Sequence, residues 1–159
     1  MDLVNIDNDI IFEPKADAVP FNYRISYKVS LICLILHECC GKKGCSATKL
    51  QMISFAATSL KSQSELLSSF GNYNDATIVR FDPTISRAIN YAIYDNIIFR
   101  QGNGLFRLTD KGNEMVSNIF ADDILMNAEK VFFKSLSNKL TEDYIADLSK
   151  RWGEFNAKN

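Results

Sequence analysis

The stretch from Phe81 to Phe120 constrains the fold more than any other part of the chain, because its punctuation spells out one supersecondary unit. Asp82 offers a side-chain acceptor to free helix amides, and Pro83 stands at a first helical position, where no amide is needed. Ile85, Ala88, Ile89, Ala92 and Ile93 then recur at helical spacing. Ile97-Ile98-Phe99-Arg100-Gln101, the turn Gly102-Asn103-Gly104, and Leu105-Phe106-Arg107-Leu108 read as two short strands joined by hairpin chemistry. Thr109-Asp110 restarts a helix. Helix, hairpin and helix in that order form the latter half of a winged helix-turn-helix. The expected fold class is mainly α with a small β-hairpin. A fold of this kind presents a surface, so the question of function becomes a question of partner.

The rest of the chain divides around this unit. Residues 1–22 are acidic, with an apolar cluster at Ile10-Ile11-Phe12 and prolines at 14 and 20, and read as an N-terminal arm with a strand at 9–13. The winged-helix domain is expected over 23–120. Its first helix, Tyr23 to Glu38, is apolar on more than one face and belongs at the centre of a core. Gly41-Lys42-Lys43-Gly44 ends it with residues that tolerate a left-handed turn. Ser46 caps a helix running to about Thr58, and Ser62 or Ser64 begins another over Glu65 to Phe70. Thr77 to Arg80 reads as a short strand. A C-terminal helical extension covers 121–159. In it, Asp122 to Leu136 carries Leu125, Ala128, Phe132 and Leu136 as a stripe, and a last helix capped by Thr141 carries Ile145, Leu148, Trp152 and Phe155.

Composition narrows the function classes. The formal net charge is −1, but it is unevenly spread: residues 1–23 carry one Lys against five acids, while 24–78 carry six bases against three acids. A dedicated DNA binder needs a stronger basic patch, because phosphate neutralisation supplies most of its affinity. The apolar run Val29 to Leu36 is too short to cross a bilayer, and the acidic start lacks the basic region of a signal peptide. A cytoplasmic protein without a membrane partner is expected. Cys33, His37, Cys39, Cys40 and Cys45 crowd into thirteen positions, enough ligands for zinc. They lack a Cys-x-x-Cys knuckle, however, and Cys33 lies in the most apolar part of its helix, so buried free cysteines are the preferred reading and no metal or cofactor is expected. The single histidine is not accompanied by a nucleophile elbow, and there is no phosphate-cradling loop. The acidic pairs Asp122-Asp123 and Glu142-Asp143 sit at helix starts, where the dipole favours them. A non-catalytic role follows.

Two surfaces carry the functional candidates. With Ile85, Ala88, Ile89 and Ala92 turned inward, the helix after Pro83 exposes Thr84, Arg87, Asn90, Tyr91 and Tyr94. Arg87 and Asn90 are residue types that read base edges, and Arg100, Arg107 and Lys111 can reach phosphates, which makes a DNA face. Tyr91 and Tyr94 suit a protein interface, where Tyr and Arg are enriched. Adjacent Phe132 and Phe133 exceed what one helix stripe buries, and Trp152 and Phe155 lie near the chain end. All four are candidate partner contacts.

Pro20-Phe21-Asn22, the aliphatic run Ile32-Cys33-Leu34-Ile35-Leu36, the segment Lys49-Leu50-Gln51-Met52-Ile53-Ser54-Phe55 and the wing end Phe106-Arg107-Leu108-Thr109-Asp110-Lys111-Gly112 carry a resemblance. Over roughly residues 20–120 the chain resembles the middle components of bacterial ABC three-component systems, which include Lamassu-type anti-phage and anti-plasmid defences. The resemblance implies a winged-helix accessory subunit bridging an SMC-like, coiled-coil ABC ATPase and an effector subunit, often a nuclease. It also implies double-stranded DNA as a target of the complex, met directly or through the ATPase. It carries over no catalytic residue. The alternative reading is a dimeric winged-helix transcriptional regulator that contacts DNA through Arg87, Asn90 and the wing.

Overall fold

The computed structural model describes residues 20–70 and 81–157, without the side chains of Trp152 and residues 154–157. The described chain is mainly helical with one small hairpin. The elements run α1 (Ile25–Cys39), α2 (Ala47–Ala56), α3 (Leu60–Ser69), α4 (Pro83–Tyr94), β1 (Ile98–Arg100), β2 (Phe106–Leu108), α5 (Asp110–Ala121), α6 (Asn127–Leu136) and α7 (Glu142–Ala157). The strands pair antiparallel with Phe99 opposite Arg107. The expected strands at 9–13 and 77–80, and most of the N-terminal arm, lie outside the described residues.

α1 is the central element. Val29 and every residue from Leu31 to Leu36 are buried, and α2, α4, α5 and α6 all pack against it. An all-round apolar helix has no face to give to water, so it gathers neighbours on every side. Two lysines are buried with it. Lys28, 4 % exposed, pairs with Asp82 at 3.1 Å. Lys49, also 4 % exposed, donates to the Cys39 carbonyl at 2.7 Å, at the end of α1 where free carbonyls favour a cation.

The hairpin is tied back to the loop between α1 and α2. Cys45 exchanges two backbone hydrogen bonds with Phe106, at 3.1 and 2.8 Å, and so occupies the place of a third strand. Gly44 makes this approach possible. Its φ is +80°, and a β-carbon there would meet the Phe106 carbonyl oxygen. Gly44→Ala is therefore expected to lower stability by about 2–3 kcal/mol, from left-handed strain together with loss of the bridge. Urea unfolding measures this; a change below about 0.5 kcal/mol would show that the loop yields freely.

Three expectations are corrected. The third helix starts at Leu60, not Glu65, because Ser59 takes the capping position and accepts from the Ser62 amide. α6 starts at Asn127, not Asp122. Asp122 accepts from the amides of Ile124 and Leu125, which hold its carboxyl below the ordinary range, but this closes only a turn before left-handed Met126. Most consequentially, Phe132 and Phe133 are not surface contacts. Both are buried, at 3 % and 0 % exposure, with ring centroids 5.5 Å apart. α6 packs on α1, and both rings share its core with Leu136 and Leu140. Leu136, Leu140 and Ile145 join the same core. The side chains of Trp152 and Phe155 lie outside the described residues.

Candidate functional site

α4 is held at its start by an unusually complete set of bonds. The Asp82 carboxylate accepts from the Thr84 amide at 2.8 Å, capping the helix, and from the Lys28 ammonium of α1. Partial burial works against its charge, but the Thr84 amide and Lys28 outweigh that and keep the carboxyl below its usual value. Gln51 of α2 then grips the Asp82 backbone from both ends of its amide: its Oε1 accepts from the Asp82 amide at 3.0 Å, and its Nε2 donates to the Asp82 carbonyl at 3.0 Å. This network fixes which face of α4 looks outward.

That face carries the expected residues. Ile85, Ala88, Ile89 and Ala92 are buried, while Arg87, Asn90, Tyr91 and Tyr94 are exposed, Tyr94 at 92 %. Only Thr84 departs, being half-buried. Beside Tyr91 lies a concavity of about 700 Å³, between the first turns of α1, the end of α4 and α5. Val29, Ile97 and Met115 give it an apolar floor, and Tyr91 forms a wall.

The basic candidates separate. Lys111 is engaged: it meets the Asp95 carboxylate at 3.0 Å and the Asp95 carbonyl at 2.9 Å, closing the end of α4 on the rim of the groove. Arg107 lies over the Phe99 ring of the facing strand, 6.0 Å from its centroid. Arg100 is exposed beside the turn, its guanidinium near the left-handed Gly104. Arg87, Arg100 and Arg107 make no ion pair among the described residues.

Two features escaped the sequence reading. The Gln101 side chain donates to the Lys43 carbonyl at 2.9 Å, bringing exposed Lys42 and Lys43 beside the hairpin. Lys42 and Arg107 line one shallow hollow there, with His37 and Asn113. The Gly-Lys-Lys-Gly run was the available signal, but it reads first as a helix stop. Surface apolarity near the C-terminus also exists, on other residues than expected: Ile124 is 88 % exposed, Val131 60 % and Leu125 47 %.

All four cysteines are buried, whereas His37 is exposed, its Nδ1 3.2 Å from Glu38. Burial pushes the Cys33 thiol up to about 12 and also raises Cys39, while a hydrogen bond with Cys40 followed by burial raises Cys45. Protonated thiols are poor ligands and poor nucleophiles. Among the described residues no three His, Cys, Asp or Glu side chains converge to hold a metal ion. No helix among them is long and apolar enough to cross a membrane. No protein-family model, curated protein or solved structure matches this chain.

Proposed function

We propose that this chain is a non-catalytic winged-helix accessory subunit that joins partner proteins in a complex built on an SMC-like ABC ATPase, with an effector subunit as the other partner. The winged-helix reading draws support from the order α1, the Cys45 bridge, α2, α4 and the hairpin, with α3 set between α2 and α4. The complex is proposed from the sequence resemblance over residues 20–120. The observation that carries a docking role is the apolar groove walled by Tyr91, next to a nearly fully exposed Tyr94. Large aromatic side chains at the edge of a concave apolar surface are the usual anchors of protein interfaces.

Pull-down of ATPase and effector from the native operon tests this reading. The double variant Tyr91→Ala, Tyr94→Ala is expected to weaken capture of a partner by at least about tenfold, while unfolding free energy moves by less than about 1 kcal/mol. Unchanged capture by that variant would count against the groove, and emergence of the protein alone would sink the complex.

The hollow lined by Lys42 and Arg107 favours one second reading, a transcriptional regulator that contacts DNA. Binding to its own promoter would then fall steeply with salt, and Lys42→Ala with Lys43→Ala would shallow the slope.

A further inference from the structure

The groove walled by Tyr91 has a definite balance of charge. Among the described residues that line it, the charged side chains are Asp95, Lys111 and Glu114. The Lys111 ammonium is spent on Asp95, whose carboxylate and carbonyl it meets at 3.0 and 2.9 Å. Glu114 stands one turn further along α5 and is exposed, and its carboxylate has no ion pair or hydrogen bond among the described residues. Two carboxylates against one ammonium leave the lining one negative charge. Ser30 has turned its hydroxyl proton to the Ser26 carbonyl at 3.0 Å, so its oxygen has only acceptor capacity left. What the groove lacks is a donor and a positive charge.

The apolar part of the surface selects the shape of the guest. Val29, Ile97 and Met115 form the floor, and the Tyr91 ring, 51 % exposed, forms a wall. A cation on an apolar stem matches both parts, since the stem covers the floor while the head meets the carboxylate. Of the two basic side chains, arginine is the better match. Its planar guanidinium pairs with a carboxylate through two N–H groups and lies flat on an aromatic face, whereas the lysine ammonium is a compact, strongly hydrated point charge. At about 700 Å³ the groove holds more than one side chain, which favours an arginine within a polypeptide over a free guanidinium compound.

We infer that the groove docks a partner polypeptide through an arginine flanked by apolar residues. The guanidinium pairs with the Glu114 carboxylate beside the Tyr91 ring, and the stem and flanking apolar side chains lie on Val29, Ile97 and Met115. This rests on the docking role proposed for the groove and adds the chemistry of the partner. A segment with a carboxylate at the anchor position is repelled by the unpaired charge of Glu114.

Titration of the full chain with the blocked pentapeptide acetyl-Ala-Leu-Arg-Leu-Ala-amide, and with the same peptide carrying glutamine or lysine in place of arginine, tests the assignment. Amide chemical shifts of Glu114, Met115 and Asn118 are expected to move saturably with the arginine peptide, and the glutamine peptide is expected to bind at least about tenfold more weakly. Glu114 is exposed, so Glu114→Gln leaves the fold unchanged, and it is expected to bring the arginine and glutamine peptides within about threefold of each other. Absence of saturable shifts into the millimolar range, equal affinity of the arginine and glutamine peptides for the wild-type chain, or a preference that survives in Glu114→Gln overturns the assignment. A lysine peptide that binds as tightly as the arginine peptide overturns the choice of guanidinium. Pull-down from the native operon separates this failure from that of the docking reading. Capture that is lost in Tyr91→Ala, Tyr94→Ala but unchanged in Glu114→Gln overturns the arginine anchor alone, whereas capture unchanged in both overturns docking at the groove as well.

Discussion

Phe133→Ala is expected to lower the unfolding free energy by about 4 kcal/mol, the largest effect of any single substitution considered for this chain. The ring is fully buried, next to Phe132 and in the core shared by α1, α6 and the residues around Leu140. Its own backbone carbonyl lies 3.7 Å from the Cys39 thiol, at the end of α1. Removing the ring there loses transfer free energy and leaves a void that the central helix cannot close by moving. Val131→Ala, two residues earlier on the same helix and 60 % exposed, is expected to change stability by less than about 0.5 kcal/mol. Denaturant unfolding of the pair reads the contrast. A cost for Phe133→Ala below about 1 kcal/mol would mean that α6 is not part of the cooperative unit.

Asp82→Ala is the second large effect, at about 3 kcal/mol. The variant loses a helix cap, which contributes about 1 kcal/mol, and strands the Lys28 ammonium in the core. Asp82→Asn separates the two contributions, since asparagine caps as well as aspartate but carries no charge. The pH dependence has a definite sign. The carboxyl is held below its ordinary value in the folded state, so its contribution is complete above about pH 4 and is lost as pH falls through the folded value. The wild-type protein should therefore lose more stability than Asp82→Asn on going from pH 5 into this acid range. Parallel acid profiles for the two proteins would remove Asp82 from the account.

The parts of the fold legible in the sequence are those whose signals are local. Asp82-Pro83, the period of Ile85 to Ala92, Gly102-Asn103-Gly104 and Thr109 each fix a cap, a face or a turn within a few residues, and α4, the hairpin and α5 follow them. Thr109 accepts from the Gly112 amide as its position suggests. The outward face of α4 was legible for the same reason. The rest depends on what a helix meets. Phe132 and Phe133 look like surplus until α6 is set against α1 in the core. The burial of Lys28, Lys49 and Gln51 has no local signal, because nothing near them in sequence announces Asp82 or the Cys39 carbonyl. Ser59 and Ser62 are equally good caps by type, and the chain path alone decides that Ser59 serves.

The double grip of Gln51 on the Asp82 backbone has a further consequence. One amide side chain imitates a rung of a sheet ladder, presenting an acceptor and a donor to the main chain of another helix. The seating of α4 against α2 is thereby written into a contact remote from the segment that connects them. The aim of the outward face of α4 is then set by its contacts with α2 and α1, and not by the path of the chain that leads into it.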